Sequence, residues 1–360
     1  MNDEPQQESG TSGDNRALLP QAVALHQGGR LEEAAELYAA ILAQSPDDFD
    51  ANHLLGVVAL QEGRFEEARQ LINNALAVNP HDPAALGNLG TSYLRAGQRE
   101  AARHWFERAL ELQPQSAVAL TNLASTLHDL GRHREAIPLL RQAFAVDPGS
   151  YSVCNLLGAC LIKTGEPREA AEAFEAAARI RPDDAECWAN LSVALNAIGE
   201  SARAQAYADQ AVAMKPRSSN ALGALAAAQF DQGRLADALE SYRQAVALPG
   251  PSVIMLCAYA NVLVASGFNE EAIRQYQRAL ELDANNLTLR WAIVVARLKS
   301  IYMSASEIAA SRRAFADSLE EIRTWYERSP EIDEPFNAVG VIQPFFLAYQ
   351  PFNNRDLLAR

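Results

Sequence analysis

A glycine recurs every 34 residues through most of this 360-residue chain, at Gly29, Gly63, Gly97, Gly131, Gly165, Gly199, Gly233 and Gly267. A fixed period of this length marks a repeat architecture, in which one short supersecondary unit is copied and stacked. It overrides the two or three domains that length alone would suggest. Prolines keep the same step from Pro46 through Pro80, Pro114, Pro148 and Pro182 to Pro216, and Gly250 and Ala284 hold the next two places. Alanines at 34, 68, 102, 136, 170, 204, 238 and 272 are in phase, and so are those from Ala75 to Ala279, with Ile41 in the first copy.

The best copy is Pro83 to Ser116. Leu86, Leu89 and Tyr93 share one helical face, and the pattern stops at Gly97, a residue that can take the left-handed conformation closing a helix. A second helix then carries Ala102, Phe106 and Ala109 inward. It ends before Pro114, which has no backbone donor and disfavours helix in the residue preceding it. The small residues Gly90 and Ala102 allow close approach, so the unit reads as an antiparallel helix pair. One pair cannot bury its own apolar face, so the copies must stack and share a core.

This register resembles the tetratricopeptide repeat, whose pattern of Leu, Gly, Tyr, Ala, Phe, Ala and Pro is matched almost fully by Pro83 to Ser116. The resemblance spans residues 15–286, eight units, and implies an all-α superhelical solenoid whose first helices line a concave groove. Ala22, Ala124, Ser192, Ala226 and Ala260 stand where Gly56, Gly90 and Gly158 occur, which preserves smallness. Ala208 replaces the usual aromatic and should leave its unit less well filled.

Outside the repeats, residues 1–14 are polar and expected to be disordered. From Leu287 the phase is lost but amphipathic helix continues to about residue 330. Trp291 is expected against the eighth unit, and Ile308, Phe315, Leu319, Ile322 and Tyr326 lie on one face of the second helix. A loop and an aromatic-rich segment follow over 331–360, where Phe345, Phe346, Tyr349 and Phe352 are too apolar for a free tail and are expected to dock on a partner surface. This segment reads as the truncated start of a following domain.

The net charge of −14 argues against neutralising nucleic-acid phosphates or docking on anionic lipid. The start lacks the basic and apolar regions of a secretory signal, and no apolar run approaches the ~18 residues of a membrane span. A cytoplasmic protein is expected, and no cofactor or metal. Cys154, Cys160, Cys187 and Cys257 form no CxxC pair and sit at helix-pattern positions, as reduced buried cysteines do. His128 and His133 flank one inter-helix turn and are expected to be solvated, since no cysteine or carboxylate of suitable spacing accompanies them in sequence. Asp47, Asp48, Asp183 and Asp184 fall at helix starts, where carboxylates cap. No catalytic residue is expected.

Ile301, Tyr302, Ser304, Glu307, Ile308, Arg312 and Phe315, followed by Phe345 to Gln350 and by Asn354 to Leu357, resemble the segment linking repeats to catalytic domain in bacterial SPINDLY-like O-linked N-acetylglucosamine transferases. The two nucleotide-binding halves that this resemblance implies cannot be built from residues 287–360. The chain is therefore expected to be non-catalytic as given.

Asn88, Asn122 and Asn190 share the sixth repeat position, although asparagine is a poor residue for a helix interior. In the transferase family such a ladder grips the backbone of an extended polypeptide, because an amide both donates and accepts. Leu156 breaks the series, with Asn155 one place off. Thr121, Ser125, Asn155, Asn196, Asn220 and Asn261 are further candidate lining residues. Groove recognition and plain inter-repeat hydrogen bonding both remain open for the ladder. Basic residues that would clamp a peptide C-terminus are missing from the lining, which disfavours that partner class. Two functions follow: the substrate-recognition region of a transferase-like protein, or a free-standing bacterial adaptor in complex assembly. Reading the gene beyond codon 360 would separate them. The partners expected are protein or peptide clients. A homodimer is compatible with the resemblance, and no residue decides it.

Overall fold

The computed structural model describes residues 12–299 and 301–328, which form eighteen α-helices and no strand. Sixteen of them make eight antiparallel pairs. The first five pairs are α1 (Ser12–Gln27) with α2 (Leu31–Gln44), α3 (Phe49–Gln61) with α4 (Phe65–Val78), α5 (Pro83–Arg95) with α6 (Arg99–Leu112), α7 (Ala117–Asp129) with α8 (His133–Val146), and α9 (Tyr151–Thr164) with α10 (Pro167–Ile180). They make up one compact unit, ending at Ile180. A second unit holds α11 (Ala185–Ala197) with α12 (Ser201–Met214), α13 (Ser219–Asp231) with α14 (Leu235–Ala247), and α15 (Val253–Ala265) with α16 (Asn269–Leu282). It continues into α17 (Leu287–Ala296) and α18 (Ala305–Glu327).

Both ends of each first helix are written in the sequence. From α3 to α15 the residue before it is Asp48, Asp82, Ser116, Ser150, Asp184, Ser218 or Ser252, and Asn286 before α17 keeps the step of 34; seven of these eight accept a hydrogen bond from a backbone N–H of the first turn. Asp82 takes the N–H of Ala85 at 2.7 Å. At the other end, Gly97 has φ 78° and donates to the Leu94 carbonyl, while the Gln98 N–H reaches back to Tyr93 at 2.9 Å. These two bonds satisfy carbonyls that a helix end otherwise leaves open, and the left-handed residue they require is a glycine.

Within a pair, the small residue of the first helix meets the bulky residue of the second. A Cβ built on Gly90 would lie 2.8 Å from the Phe106 ring, and one on Gly158 would lie 2.7 Å from Phe174. Phe106, Phe174, Tyr38 and Ile72 are accordingly buried, as are the in-phase alanines of every second helix. Ala208 is also fully buried, in a cluster of Ala189, Ala211, Ala221, Ala224 and Leu225 flanked by Trp188 and Val212.

Three expectations are corrected or fall outside the description. Helix α1 begins at Ser12, and residues 1–11 of the tail expected to be disordered lie outside the described residues. Trp291 packs with Val294, Val295 and Leu298 on Phe315 of α18, while Leu289, Ala292 and Ala296 face the eighth pair. A helix covered on two sides divides its apolar residues between two partners, and the single-face reading of α17 missed this. Phe345, Phe346, Tyr349 and Phe352 lie outside the described residues.

Candidate functional site

First helices touch the first helices of the next repeat: α3 with α5, α5 with α7, and α7 with α9 in the first unit, and α11 with α13 and α13 with α15 in the second. The polar candidates lie on these first helices. Asn88, Asn122 and Asn155 are half-buried on α5, α7 and α9, and Asn190 is half-buried on α11 in the second unit.

The period of 34 brings a side chain close to the one 34 or 35 residues later. The Asn88 amide Nδ2 lies 2.9 Å from His53 Nε2, Asn196 donates to Asp231 at 2.6 Å, Asn220 donates to Glu186 at 2.8 Å, and His26 meets Gln61 at 3.2 Å. Burial holds the His53 imidazole below its usual pKa despite Asp82 and Asp50, which pull it up. Neutral His53 can therefore accept from Asn88. Sequence periodicity passed over His53, because its partner sits at 35 and not at 34. Asn261 serves its own pair, accepting from the Tyr276 hydroxyl.

Asn122 differs from Asn88. Among the described residues its side-chain amide has no hydrogen-bond partner, although its backbone carbonyl accepts from Thr126 at 2.8 Å. Ser125, one turn on, is half-buried and also without a partner among them. Thr121 turns its hydroxyl back on the Ala117 carbonyl at 2.7 Å, which leaves its methyl group and oxygen lone pairs for a neighbour. Asn155 and Asn190 both have interactions within the chain.

The histidines of the fourth repeat are not simply solvated. His128, near the end of α7, and His133, at the start of α8, have ring centroids 4.9 Å apart. Cys160 of α9 comes between repeats to place Sγ 3.5 Å from His128 Nδ1. Burial pushes the Cys160 thiol up to about 11. Burial, then His128 and Lys163, lowers the His133 imidazole. The expectation that no cysteine accompanies these histidines is thus corrected. The companion lies in the next repeat, where a search for local ligand spacing does not reach.

The fold and this polar face define a helical-repeat scaffold for protein interaction. Profiles described as tetratricopeptide repeat match residues 24–74, 59–125, 127–194 and 190–252, and the chain belongs to the tetratricopeptide-repeat family. Among solved structures, it is similar to a chain of the APC/C hetero-tetramer Cut9-Hcn1, 18% identical with a TM-score of 0.54, over 78% of this chain and 55% of that one. It is also similar to YrrB, described as a TPR protein with an unusual peptide-binding site, 22% identical with a TM-score of 0.49, over 53% of this chain and 98% of that one. A tetratricopeptide repeat protein from Parabacteroides merdae is 16% identical with a TM-score of 0.49, over 70% of this chain and all of that one. No curated protein matches the chain. Among the described residues, no helix is long and apolar enough to cross a membrane.

Proposed function

We propose that the first-helix face binds an extended polypeptide and grips it through its backbone. Asn122 carries this reading: a half-buried side-chain amide, with no hydrogen-bond partner among the described residues, on α7, which packs against the first helices α5 and α9 of the adjoining repeats. An amide presents donor and acceptor together, so it pairs with a peptide unit whatever the client's side chains are. Asn155, Thr121 and Ser125, in the same unit, would extend the grip. Asn88 enters it only by leaving His53, which makes it the weaker contributor. The test is fluorescence anisotropy on peptides selected from a random display library against the whole chain. Asn122→Ala should weaken the selected peptides about tenfold, the scale of one or two hydrogen bonds lost at a desolvated contact. Unchanged affinity in that variant would remove the amide from the site.

The finer reading, that the client is the substrate of a transferase-like protein, rests on the resemblance over residues 301–315 and 345–357. Part of that resemblance has structural work of its own. Tyr302 meets Ser311 at 2.9 Å, Ser304 caps α18, and Phe315 fills the core beside Trp291. A sequence of the gene beyond codon 360 that encodes a glycosyltransferase module would support the finer reading, and one that does not would leave an adaptor.

A further inference from the structure

We infer that His128, His133 and Cys160 form a zinc site at the junction of the fourth and fifth repeats. One ligand atom from each lies within 4.8 Å of the others. Around a tetrahedral zinc, with bonds of about 2.0–2.1 Å to nitrogen and 2.3 Å to sulfur, neighbouring ligands stand roughly 3.4–3.6 Å apart. The Cys160 sulfur and His128 Nδ1, at 3.5 Å, already have that separation. The buried Nδ1 of His133 has no hydrogen-bond partner among the described residues, so one ring nitrogen is left without the bond a buried polar atom ordinarily makes.

The three residues do not follow from the repeat pattern. Their counterparts one repeat earlier are Leu94, Arg99 and Thr126, and one repeat later Ile162, Pro167 and Ala194. Two imidazoles and a thiol suit zinc, whereas magnesium and calcium take oxygen ligands. An open cleft of about 340 Å³, lined by Arg132, Arg134, Glu135, Lys163 and Thr164 among others, reaches the site at His133. Lys163, Arg132 and Arg134 disfavour a bare dication there, and Glu135 offsets part of that charge. Coordination releases the Cys160 proton, and the resulting thiolate offsets one of the two positive charges.

The experiment uses the full chain, stripped of metal and titrated with cobalt(II) and then zinc chloride. One cobalt per chain should give tetrahedral visible bands and a near-ultraviolet thiolate-to-cobalt charge-transfer band, both displaced by one zinc. X-ray absorption at the zinc edge should show one sulfur and two imidazoles. Cys160→Ser should abolish the charge-transfer band, His133→Gln should weaken zinc binding about tenfold or more, and Cys187→Ser should change neither. The absence of a stoichiometric band, a band surviving Cys160→Ser, or a zinc shell without sulfur would each overturn the site. Absorption measurements on the unaltered chain decide the matter even if a variant does not fold.

Discussion

Gly90→Ala sets two opposed effects against each other. Both Gly87 and Gly90 lie inside α5, where glycine costs about 1 kcal/mol relative to alanine. An alanine Cβ at position 87 meets nothing within 4 Å, so Gly87→Ala should stabilise by roughly 0.5–1 kcal/mol. At position 90 the same Cβ would stand 2.8, 2.9 and 3.1 Å from three atoms of the Phe106 ring. Phe106 is fully buried, so its ring can yield only by moving α6 or leaving its rotamer, which costs about 1–3 kcal/mol. The net result should be a loss of up to about 2 kcal/mol, and a gap of about 1–3 kcal/mol between the two variants. Adding Phe106→Leu to Gly90→Ala recreates the pair that occurs naturally as Ala124 and Leu140, both fully buried, and should recover most of the clash term. Repeat arrays need not unfold as one unit, so urea midpoints should be paired with hydrogen exchange of the α5 and α6 amides. Gly90→Ala stabilising as much as Gly87→Ala would refute the close-packing account.

Gly97→Ala should destabilise by about 1–2 kcal/mol with no steric clash, because nothing lies within 4 Å and only the left-handed φ of 78° is strained; thermal melts beside Gly97→Asn, which should cost less, check this. Ser192→Ala should stabilise by about 1 kcal/mol in denaturant titration, since the buried hydroxyl has no partner among the described residues. His53 has a folded pKa below its ordinary value of about 6.5, so the unfolded chain takes up the proton first as pH falls. Stability should be full above about 6.5 and decline as pH drops through the lowered folded value, and His53→Gln should flatten that part of the profile.

The repeat boundaries were legible because each rests on a local backbone requirement. A left-handed φ calls for glycine at positions such as 97, and an open first turn calls for an acceptor at positions such as Asp82. The candidate face was legible in part. Counting from the period placed Asn88, Asn122 and Asn190 at one helical position. What each amide does depends on the side chain one repeat away, and the 35-residue offset that joins Asn88 to His53 and leaves Asn122 open has no local signal. The same limit hid Cys160 from His128 and His133, since three helices meet there. Trp291 was misassigned because periodicity names an apolar face without saying how many partners share it.

The claim that the first-helix face grips a client by its backbone is tested most directly by backbone methylation of a selected peptide. Replacing one amide N–H at a time with N–CH3 removes a donor and leaves every side chain in place. The account predicts that binding is lost at several methylated positions, while replacing side chains with alanine one by one lowers affinity only slightly. Binding that tolerates every methylation but fails when one or two side chains are truncated would contradict it.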